Sequence, residues 1–435
     1  RDVERSRGLG DVYKRQRMNL PSLSEARHVI GICGGGVGGS EAAALIAKQG
    51  CIAVVFEQNV RPYGKIEDGL PRWHSKLRAK EYAKIDENLS TPGVVFVPGT
   101  RLGQDLSFST LSNNAGLSAL ILAHGAWLDR PLPIEGVDRF IGNGLSYQNP
   151  FVYWFNHYEE SGFSGEDFPI HDDAIVIGGG LASIDVCKIL NLELYARALR
   201  DRGIAADTEE MELRGIPRTL ETHGYTPDDF TIRGCTLFYR RGKEDMPLEN
   251  ISNPTAQRIE KLRGTRAKIM DKVMRKYLVR FQPNVVPVEV VEEAGVLTGF
   301  VFQRTEIVDG RVNKLESSDF VVRSKQIISS IGSTPTRIDG VRMEGELYQW
   351  QNRDEGRLVE GVYGLGNVLT GKGNIVESRR NSKAITPRVV DRALASPKIP
   401  PDGISEIVGL IQARWDAVGY PGDYVEWING KSSAA

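Results

Sequence analysis

The stretch His28–Glu57, HVIGICGGGVGGSEAAALIAKQGCIAVVFE, decides the fold of the chain. It begins with a short apolar run typical of a buried strand and continues through a glycine cluster into apolar residues at helical spacing. It ends with a second apolar run that is closed by Glu57. Gly34, Gly36 and Gly39 form G-x-G-x-x-G directly after the first predicted strand. In a strand–loop–helix–strand unit of about 30 residues this spacing predicts a dinucleotide-binding loop. The alternative is a glycine-rich turn that binds no ligand.

The three glycines and the final carboxylate have separate physical roles. Gly34 permits the tight turn, Gly36 lets the backbone approach a pyrophosphate, and Gly39 allows close packing of helix on strand. The phosphates would bind the unpaired N–H groups at the helix N-terminus. Glu57 follows Gly39 by 18 residues and is placed to accept hydrogen bonds from a ribose, while its charge disfavours a 2′-phosphate. We therefore predict that FAD or NAD binds at Gly34, Gly36, Val37, Gly38, Gly39 and Glu57.

A second strand–loop–helix pattern begins at Ala174. The run AIVI is followed by GGGLAS at Gly178–Ser183, where serine keeps a small side chain at the packing contact. The next predicted strand, CTLFYRR, ends in Arg240 and Arg241 where the first pattern has Glu57. Two guanidinium groups can bind a 2′-phosphate through bidentate hydrogen bonds, which favours NADPH, although an ordinary basic strand end is the alternative. The residues predicted to bind NADPH are Gly178, Gly180, Leu181, Ala182, Ser183, Arg240 and Arg241.

Length and composition restrict the class of protein. A chain of 435 residues is long enough for two or three domains. The formal net charge of -1 gives no global support for binding to nucleic acid. No apolar run approaches the roughly 18 residues that a membrane-spanning helix needs. Cys33, Cys51, Cys187 and Cys235 form no CxxC pair and no zinc or iron–sulfur spacing, so we expect reduced thiols in a cytoplasmic protein.

These patterns predict an α/β fold with two Rossmann-type, three-layer nucleotide-binding domains, the NADPH domain being inserted into the domain that binds FAD or NAD. Residues 1–17 are charged and aperiodic, and their string DVYKRQ resembles translated sequencing adapter. We treat them as a non-native leader before Met18, or as a natural disordered tail. The predicted domain for FAD or NAD then comprises 18–150 and 330–435, the latter with a C-terminal tail, around an NAD(P)H domain at 151–329.

Five segments resemble the adrenodoxin-reductase-like flavoproteins, a family that includes ferredoxin–NADP reductases and the small subunit of bacterial glutamate synthase. They are VFEQNVRPYGKIEDGLP from Val55, LILAHGAWLDRPLPIEGVD from Leu120, IGGGLASIDVCK from Ile177, YRRGKEDMP from Tyr239 and VYGLGNVLTGKGNIVES from Val362. The resemblance covers nearly the whole chain and implies that FAD and NADP(H) are the cofactors.

The resemblance also implies site residues outside the two glycine loops. Tyr63, Gly64 and Lys65 fit the family's turn along the flavin, and Gly125 fits a small-residue turn after the next strand. Asp185 matches the aspartate of the family's NADPH loop. Near the C-terminus, the residues that the resemblance places beside the flavin are Gly366, Asn367, Gly373 and Ile375.

The chain departs from the family pattern in three ways. It lacks the cysteine-rich segment that holds iron–sulfur clusters in the glutamate synthase small subunit. Asn367 stands where adrenodoxin reductases have tryptophan and many other flavoproteins have aspartate. The family's P-x-H near the flavin is one residue longer here, ending at His74. We take His74 and Asp185 as candidate catalytic residues, with a solvated loop histidine as the alternative for His74.

The resemblance implies an oxidoreductase that passes hydride from NADPH to FAD and then electrons to a ferredoxin-type acceptor. Because the sequence has no cysteine pair to carry electrons further, they would leave the chain. Two alternatives stay open: a flavin electron-transfer subunit of a glutamate synthase-like complex, and a non-catalytic dinucleotide-binding sensor.

Two groups of basic residues are candidate docking surfaces. Nine Lys and Arg against two acidic residues give the stretch 255–280 a local charge of +7, and acidic ferredoxins could dock near Arg258–Arg280. The alternative is a solvated helix face. The second group could dock a partner or line the entry for a cofactor phosphate, and it consists of Arg379, Arg380, Lys383 and Arg388.

Overall fold

The computed structural model describes residues 27–248, 255–371 and 373–432. The predicted leader at 1–17 and the predicted start at Met18 lie outside the described residues. The described chain divides into two compact units. The first contains 27–67, 75–128 and the described residues from 333 onward, and the second contains 68–74 and 129–332. The second unit is thus an insertion in the sequence of the first.

The first unit is built on a six-stranded sheet. Its strands lie in the order Arg357–Val359, Val362–Gly364, Ala119–Leu122, Val29–Cys33, Ile52–Phe56, Val94–Val97. All neighbouring pairs are parallel except the first, which is antiparallel. The central strands are short, rich in Val and Ile, and almost completely buried, as in parallel sheets covered on both faces.

The second unit contains a five-stranded parallel sheet and a separate antiparallel sheet. The parallel strands lie in the order Leu145–Tyr147, Ile327–Ser330, Ile175–Gly178, Thr236–Phe238, Arg280–Gln282. The antiparallel sheet places Val296–Val308 between its partners Val285–Glu293, Arg311–Lys314 and Phe320–Arg323. The predicted α/β class is confirmed, while the three-layer arrangement and the nucleotide assigned to each domain stay predictions.

The described chain also contains helices and short elements outside these sheets. The α-helices are Val37–Lys48, Lys65–Asp68, Ser75–Leu89, Phe108–Ser112, Gln148–His157, Leu181–Arg200, Thr208–Arg214, Ile216–Thr222, Ala256–Tyr277, Asn367–Thr370, Ile375–Ala395, Pro401–Val418 and Tyr424–Ser432. Short 3₁₀ turns are Arg72–His74, Val137–Phe140, Pro227–Asp229 and Lys243–Asp245, and short strands are Leu128–Asp129, Ser333–Thr334, Met343–Glu344 and Leu347–Tyr348. Across the described ranges, none of these helices combines the length and apolar composition needed to span a bilayer.

The chain passes between the units at places that differ from the predicted boundaries. The long insertion begins between Leu128 and Asp129, ahead of the predicted boundary at 150, because Leu145–Tyr147 is already a strand of the parallel sheet of the second unit. The return lies between Gly332 and Ser333. The segment 68–74, which carries His74, also belongs to the second unit although the surrounding residues belong to the first.

Candidate functional site

The first glycine loop turns tightly because its own packing requires glycine at two positions. Gly34 has φ +103°, and a Cβ built there would lie 2.7 Å from the carbonyl oxygen of Ala123. A Cβ on Gly39 would lie 1.8 Å from the carbonyl oxygen of Gly34. The helix Val37–Lys48 therefore begins directly against the turn, and any larger residue at Gly39 would displace it.

Gly36 is different, because the protein itself leaves room beside it. Among the described residues, a Cβ built on Gly36 would meet nothing nearer than the carbonyl oxygen of Pro62 at 3.9 Å. Gly36 is the N-cap of the helix Val37–Lys48, and no side chain caps this helix within the described structure. Val37 and Gly38 follow in its first turn. The open backbone at a helix start has the geometry that binds phosphate groups.

Glu57 is tied to the first glycine loop. Its side chain is 4% exposed, Oε2 accepts a hydrogen bond of 2.6 Å from the N–H of Gly35, and Oε1 accepts one of 2.9 Å from the N–H of Asn59. Burial, together with the nearby Glu57 charge, raises the pKa of the Cys33 thiol. The carboxylate thus stabilises the loop, and an ionised carboxylate has capacity for a further hydrogen bond.

The predicted flavin turns flank one tryptophan that the sequence patterns did not single out. Gly64 and Gly125 have φ +52° and +76°, and Cβ atoms built on them would lie 3.7 Å and 3.8 Å from the indole of Trp127. Lys65 Nζ lies 5.7 Å from the centre of the same ring and donates a 3.0 Å hydrogen bond to Ser333 Oγ. The structure therefore groups Gly64, Lys65 and Gly125 around an aromatic surface.

The C-terminal motif is brought to the first glycine loop. Ser382 Oγ donates a 2.9 Å hydrogen bond to the carbonyl oxygen of Gly38. The N–H of Gly366, which has φ +64°, donates one of 2.6 Å to Asn381 Oδ1. Ser382 and Asn381 lie in the helix that Ile375 begins. Neither was predicted from the sequence, although both lie about one turn after the motif on that helix.

Asn367 carries a buried acceptor that lies beside Gly373 in the first unit. Its Oδ1 is buried and has no hydrogen-bond partner among the residues that the structure describes. A Cβ on Gly373 would lie 2.2 Å from this oxygen, so only glycine leaves it accessible on that side. A buried polar atom without a partner is costly, and a hydroxyl of a bound ligand would satisfy it. The orphaned oxygen and the open helix start at Gly36 fit a dinucleotide with ribityl hydroxyls.

The second basic group predicted from the sequence is largely neutralised within its own unit. Arg379 Nη2 lies 2.6 Å from Glu81 Oε2, and its Nε lies 3.5 Å from Glu41 Oε2. Lys383 Nζ lies 3.4 Å from Glu41 Oε1. Arg380 forms an exposed pair with Glu377, and the charge of Arg388 helps to lower the pKa of Glu355. Arg379 and Lys383 therefore stabilise helix packing.

The second glycine loop also packs tightly against the start of its helix, although serine replaces the third glycine. A Cβ on Gly178 would lie 2.4 Å from the carbonyl oxygen of Ser330 and 2.6 Å from the Cβ of Ser183. Ser183 Oγ donates a 2.7 Å hydrogen bond to the carbonyl oxygen of Gly180. A Cβ on Gly180 would meet no atom within 4 Å, and the described structure places no side-chain cap on the helix Leu181–Arg200 that follows. Leu181 is exposed and Ala182 half-buried at this helix start.

The two arginines lie beyond the strand in which they were predicted. The strand ends at Phe238, and the ring of Tyr239 packs on Gly179, where a Cβ would lie 2.1 Å from it. Arg240 follows with an exposed side chain, whereas Arg241 Nη2 donates a 2.7 Å hydrogen bond to the carbonyl oxygen of Gly310. Arg240 is therefore the more available of the two for an anion.

Asp185 is half-buried and lies in a charged cluster that surrounds the buried Lys188. Lys188 Nζ lies 3.4 Å from Asp185 Oδ1 and 2.7 Å from Glu212 Oε1. It also lies 4.6 Å from the ring centre of Trp73. Burial raises the pKa of Asp185 above its ordinary value, although the charges of Lys188 and His74 act in the opposite direction. The structure thus brings the two candidate catalytic residues close enough to interact electrostatically.

The basic stretch 255–280 contains the helix Ala256–Tyr277. Its exposed cations recur at intervals of three, four and seven residues, so they lie on one face of the helix. We call this face the basic stripe, which consists of Arg258, Lys261, Lys268, Lys272 and Arg275. Arg263, on another face, is paired with Asp245 at 2.9 Å.

Comparisons with known proteins identify distant relatives. No protein-family model matches the chain. The mitochondrial NADPH:adrenodoxin oxidoreductase of Arabidopsis thaliana is 26% identical over 182 residues, which cover 41% of this chain and 36% of that protein. A probable counterpart from Schizosaccharomyces pombe is 30% identical over 136 residues, or 31% and 28% of the two chains. The glutamate synthase [NADPH] small chain of Mycobacterium tuberculosis is 28% identical over 166 residues, or 36% and 32%. The matches span about a third of the length of these relatives.

Among solved structures, Mycobacterium tuberculosis FprA in complex with NADPH superposes with a TM-score of 0.67. The likeness covers 89% of this chain and 90% of that chain at 20% identity, so it concerns the fold. The sequence matches confirm a distant resemblance to the adrenodoxin reductases and glutamate synthase small chains.

Proposed function

We propose that this chain, a distant relative of the adrenodoxin reductases and of glutamate synthase small chains, is an FAD-dependent NADPH oxidoreductase that delivers electrons to a ferredoxin-type acceptor. The observation that carries the proposal is the pair of strand–glycine-loop–helix units, each with a helix start that no described side chain caps. The first is followed by a carboxylate, and the second is followed by two arginines.

The first unit would bind FAD. The backbone at Gly36, Val37 and Gly38 offers N–H groups to the pyrophosphate, and Glu57 offers a carboxylate oxygen to the adenosine ribose. Asn367 Oδ1, which has no partner among the described residues, would accept a hydrogen bond from the ribityl chain. Gly64, Lys65 and Gly125 would lie near the flavin ring beside Trp127. When bound, FAD supplies the chemistry that joins a two-electron donor to a one-electron acceptor.

The second unit would bind NADPH. The open backbone at Gly180 and the helix start at Leu181 and Ala182 would bind the pyrophosphate, while Ser183 maintains the tight contact with Gly178. Arg240 would bind the 2′-phosphate and Arg241 would support it. Asp185 and His74 would set the charge near this loop. Burial raises the pKa of Asp185, while the charges of Lys188, 3.4 Å away, and of His74 oppose that rise.

The acceptor would dock on the basic stripe. Its five cations are exposed on one helix face, and an acidic ferredoxin has the complementary charge. Similarity to the glutamate synthase small chain supports a second candidate function, a flavin subunit that passes electrons to a larger catalytic partner.

The proposal is tested by loading the purified protein with FAD and adding NADPH or NADH under anaerobic conditions. We expect the visible absorption of bound FAD to bleach faster with NADPH, because only NADPH presents a 2′-phosphate to Arg240. A protein that cannot be loaded with FAD, or one that bleaches equally with both coenzymes, would contradict the proposal.

The acceptor is tested with a panel of ferredoxins, flavodoxin and a neutral quinone. We expect the double substitution Lys268→Glu and Lys272→Glu to slow ferredoxin reduction at low salt by about tenfold while quinone reduction is unchanged. Lys76→Glu with Lys80→Glu is the matched control, since these exposed lysines have the same spacing on the helix Ser75–Leu89. If both double variants behave alike, the basic stripe is not the docking site.

A further inference from the structure

Two helices near the C-terminus, Pro401–Val418 and Tyr424–Ser432, form no part of the sheet of the first unit. From their polar contacts we infer that they position the segment 57–64, hereafter the FAD loop, for binding of the cofactor. The FAD loop joins Glu57 to Gly64, and the structure gives it turns and bends without helix or strand. This inference rests on the proposed function, because it assigns the FAD loop to FAD.

The first contact holds the FAD loop directly. Trp427 Nε1 donates a 2.8 Å hydrogen bond to the carbonyl oxygen of Val60, near the middle of the loop. The indole of Trp427 is 7% exposed, so this bond is made at the edge of a packed core. A backbone carbonyl in an irregular loop has no ladder partner, and a buried indole N–H fixes its position.

The second contact reaches the FAD loop through a shared carboxylate. Tyr424 donates a 2.6 Å hydrogen bond from its hydroxyl to Asp86 Oδ1, and the hydroxyl of Tyr63 lies 3.2 Å from both oxygens of Asp86. Tyr63 also stacks on Tyr82 with ring centres 3.9 Å apart. Because Tyr63 directly precedes Gly64, Asp86 couples the last helix to the predicted flavin turn.

The third contact reaches the FAD loop through Gly99 and Thr100, which follow the strand Val94–Val97. Arg414 Nη2 donates a 2.6 Å hydrogen bond to the carbonyl oxygen of Gly99, and its Nε donates one of 3.1 Å to Thr100 Oγ1. Thr100 in turn donates its N–H to the carbonyl oxygen of Glu57 at 2.7 Å, and Gly99 donates its N–H to that of Asn59 at 3.2 Å. Arg414 thereby fixes the start of the FAD loop.

The helices also cover the outer strand Val94–Val97. Covering a strand does not require the three polar contacts to the FAD loop. Apolar and aromatic packing of Phe96 against Tyr420 and Tyr424 covers the strand. The three polar contacts instead converge on both ends and the middle of the FAD loop. A loop held in its binding conformation loses less conformational entropy when the ligand binds, which strengthens binding without contact to the ligand. Trp427, Tyr424 and Arg414 are therefore positioning residues.

The test compares two tryptophans that differ in what their indole N–H holds. Trp427→Phe removes the bond to the FAD loop, and Trp415→Phe removes a 2.9 Å bond to the carbonyl oxygen of Phe96 on the strand. The side chains are 7% and 8% exposed, so the two changes have similar cost to packing. The dissociation constant of FAD is measured by the quenching of flavin fluorescence, and the unfolding temperature of each apoprotein is measured separately.

We expect Trp427→Phe to raise the dissociation constant about fivefold, the ratio that corresponds to one net hydrogen bond. Trp415→Phe should leave it within about twofold of wild type while lowering the unfolding temperature of the apoprotein to a similar extent. Equal effects of the two variants on FAD binding, or no effect of either, would overturn the inference. If wild-type protein fails to bind FAD, the proposed function itself fails, which is a distinguishable result.

A second pair of variants tests the inference if a tryptophan variant does not fold. Tyr424→Phe removes the hydroxyl bonded to Asp86. Tyr420→Phe removes a similarly buried hydroxyl that takes no part in the three contacts. We expect weaker FAD binding for Tyr424→Phe than for Tyr420→Phe, and the reverse order would also overturn the inference.

Discussion

In the first glycine loop the residue that follows the second strand is Glu57, whereas in the second loop the residue at the same place is Tyr239. The register shows the equivalence, since Cys33 pairs with Phe56 in one sheet and Ile177 pairs with Phe238 in the other. Glu57 accepts a hydrogen bond from the backbone of its glycine loop, while Tyr239 packs its ring on the backbone of its own. One loop is stabilised by a carboxylate and the other by an aromatic face.

In the first loop one residue would both stabilise the loop and recognise the ligand. In the second loop these two roles would belong to different residues. Glu57 is buried and bonded, so the residue that would recognise a ribose also stabilises the loop. In the second loop Tyr239 stabilises the backbone. The charge that would recognise a phosphate lies on the next residue, the exposed Arg240. Substitutions in the first loop should therefore affect folding and binding together, and those at Arg240 should affect binding alone.

The largest effect is expected for Gly39→Ala, because its Cβ would lie 1.8 Å from the carbonyl oxygen of Gly34. We expect the free energy of unfolding to fall by about 3 kcal/mol, with loss of FAD binding. Urea denaturation of the apoprotein measures the first quantity and flavin content measures the second. An unfolding free energy equal to that of wild type would show that the helix does not start against the turn.

The next effect is expected for Glu57→Gln. The amide keeps one acceptor, but its NH₂ group would face one of the two backbone N–H groups that Glu57 now accepts from. We expect a loss of about 2 kcal/mol in the free energy of unfolding and weaker FAD binding. If FAD binding weakens while apoprotein stability is unchanged, then Glu57 does not combine the two roles and the contrast between the loops disappears.

Arg240→Ala should change binding without changing stability. We expect the KM for NADPH to rise about tenfold or more, because a bidentate charged contact is lost, while the KM for NADH stays constant. The free energy of unfolding should stay within about 0.5 kcal/mol of wild type, as for other exposed substitutions. Arg241→Ala is the control and should have a smaller effect, since that guanidinium is bonded to Gly310. Equal losses with both coenzymes would mean that Arg240 is not selective.

The smallest effect is expected for Ser183→Gly, which gives the second loop the glycine of the first. It removes the hydrogen bond from Ser183 to the carbonyl oxygen of Gly180 and adds backbone entropy to the unfolded chain. We expect a loss of about 1 kcal/mol in the free energy of unfolding and little change in the KM for NADPH. A large rise in that KM would show that the serine hydroxyl contacts the coenzyme.

The glycine loops and their flanking strands were predictable because they depend on local spacing. The end of the strand before Arg240 was not, since it depends on pairing with Arg280–Gln282, a strand distant in sequence. The cluster around Lys188 could not be predicted for the same reason, because Trp73 and Glu212 come from segments far from Lys188 in the chain. Tertiary contacts also place 68–74 in the second unit, and no local pattern signals this.

The order of segments along the chain has a consequence for folding during synthesis. Strand Ala119–Leu122 pairs with Val362–Gly364, which the ribosome makes only after the whole second unit. Until then one edge of the first sheet lacks its partner, and such an edge can pair with other chains. We therefore expect the second unit to be complete first, and the first unit to be the part of the nascent chain that needs protection from aggregation.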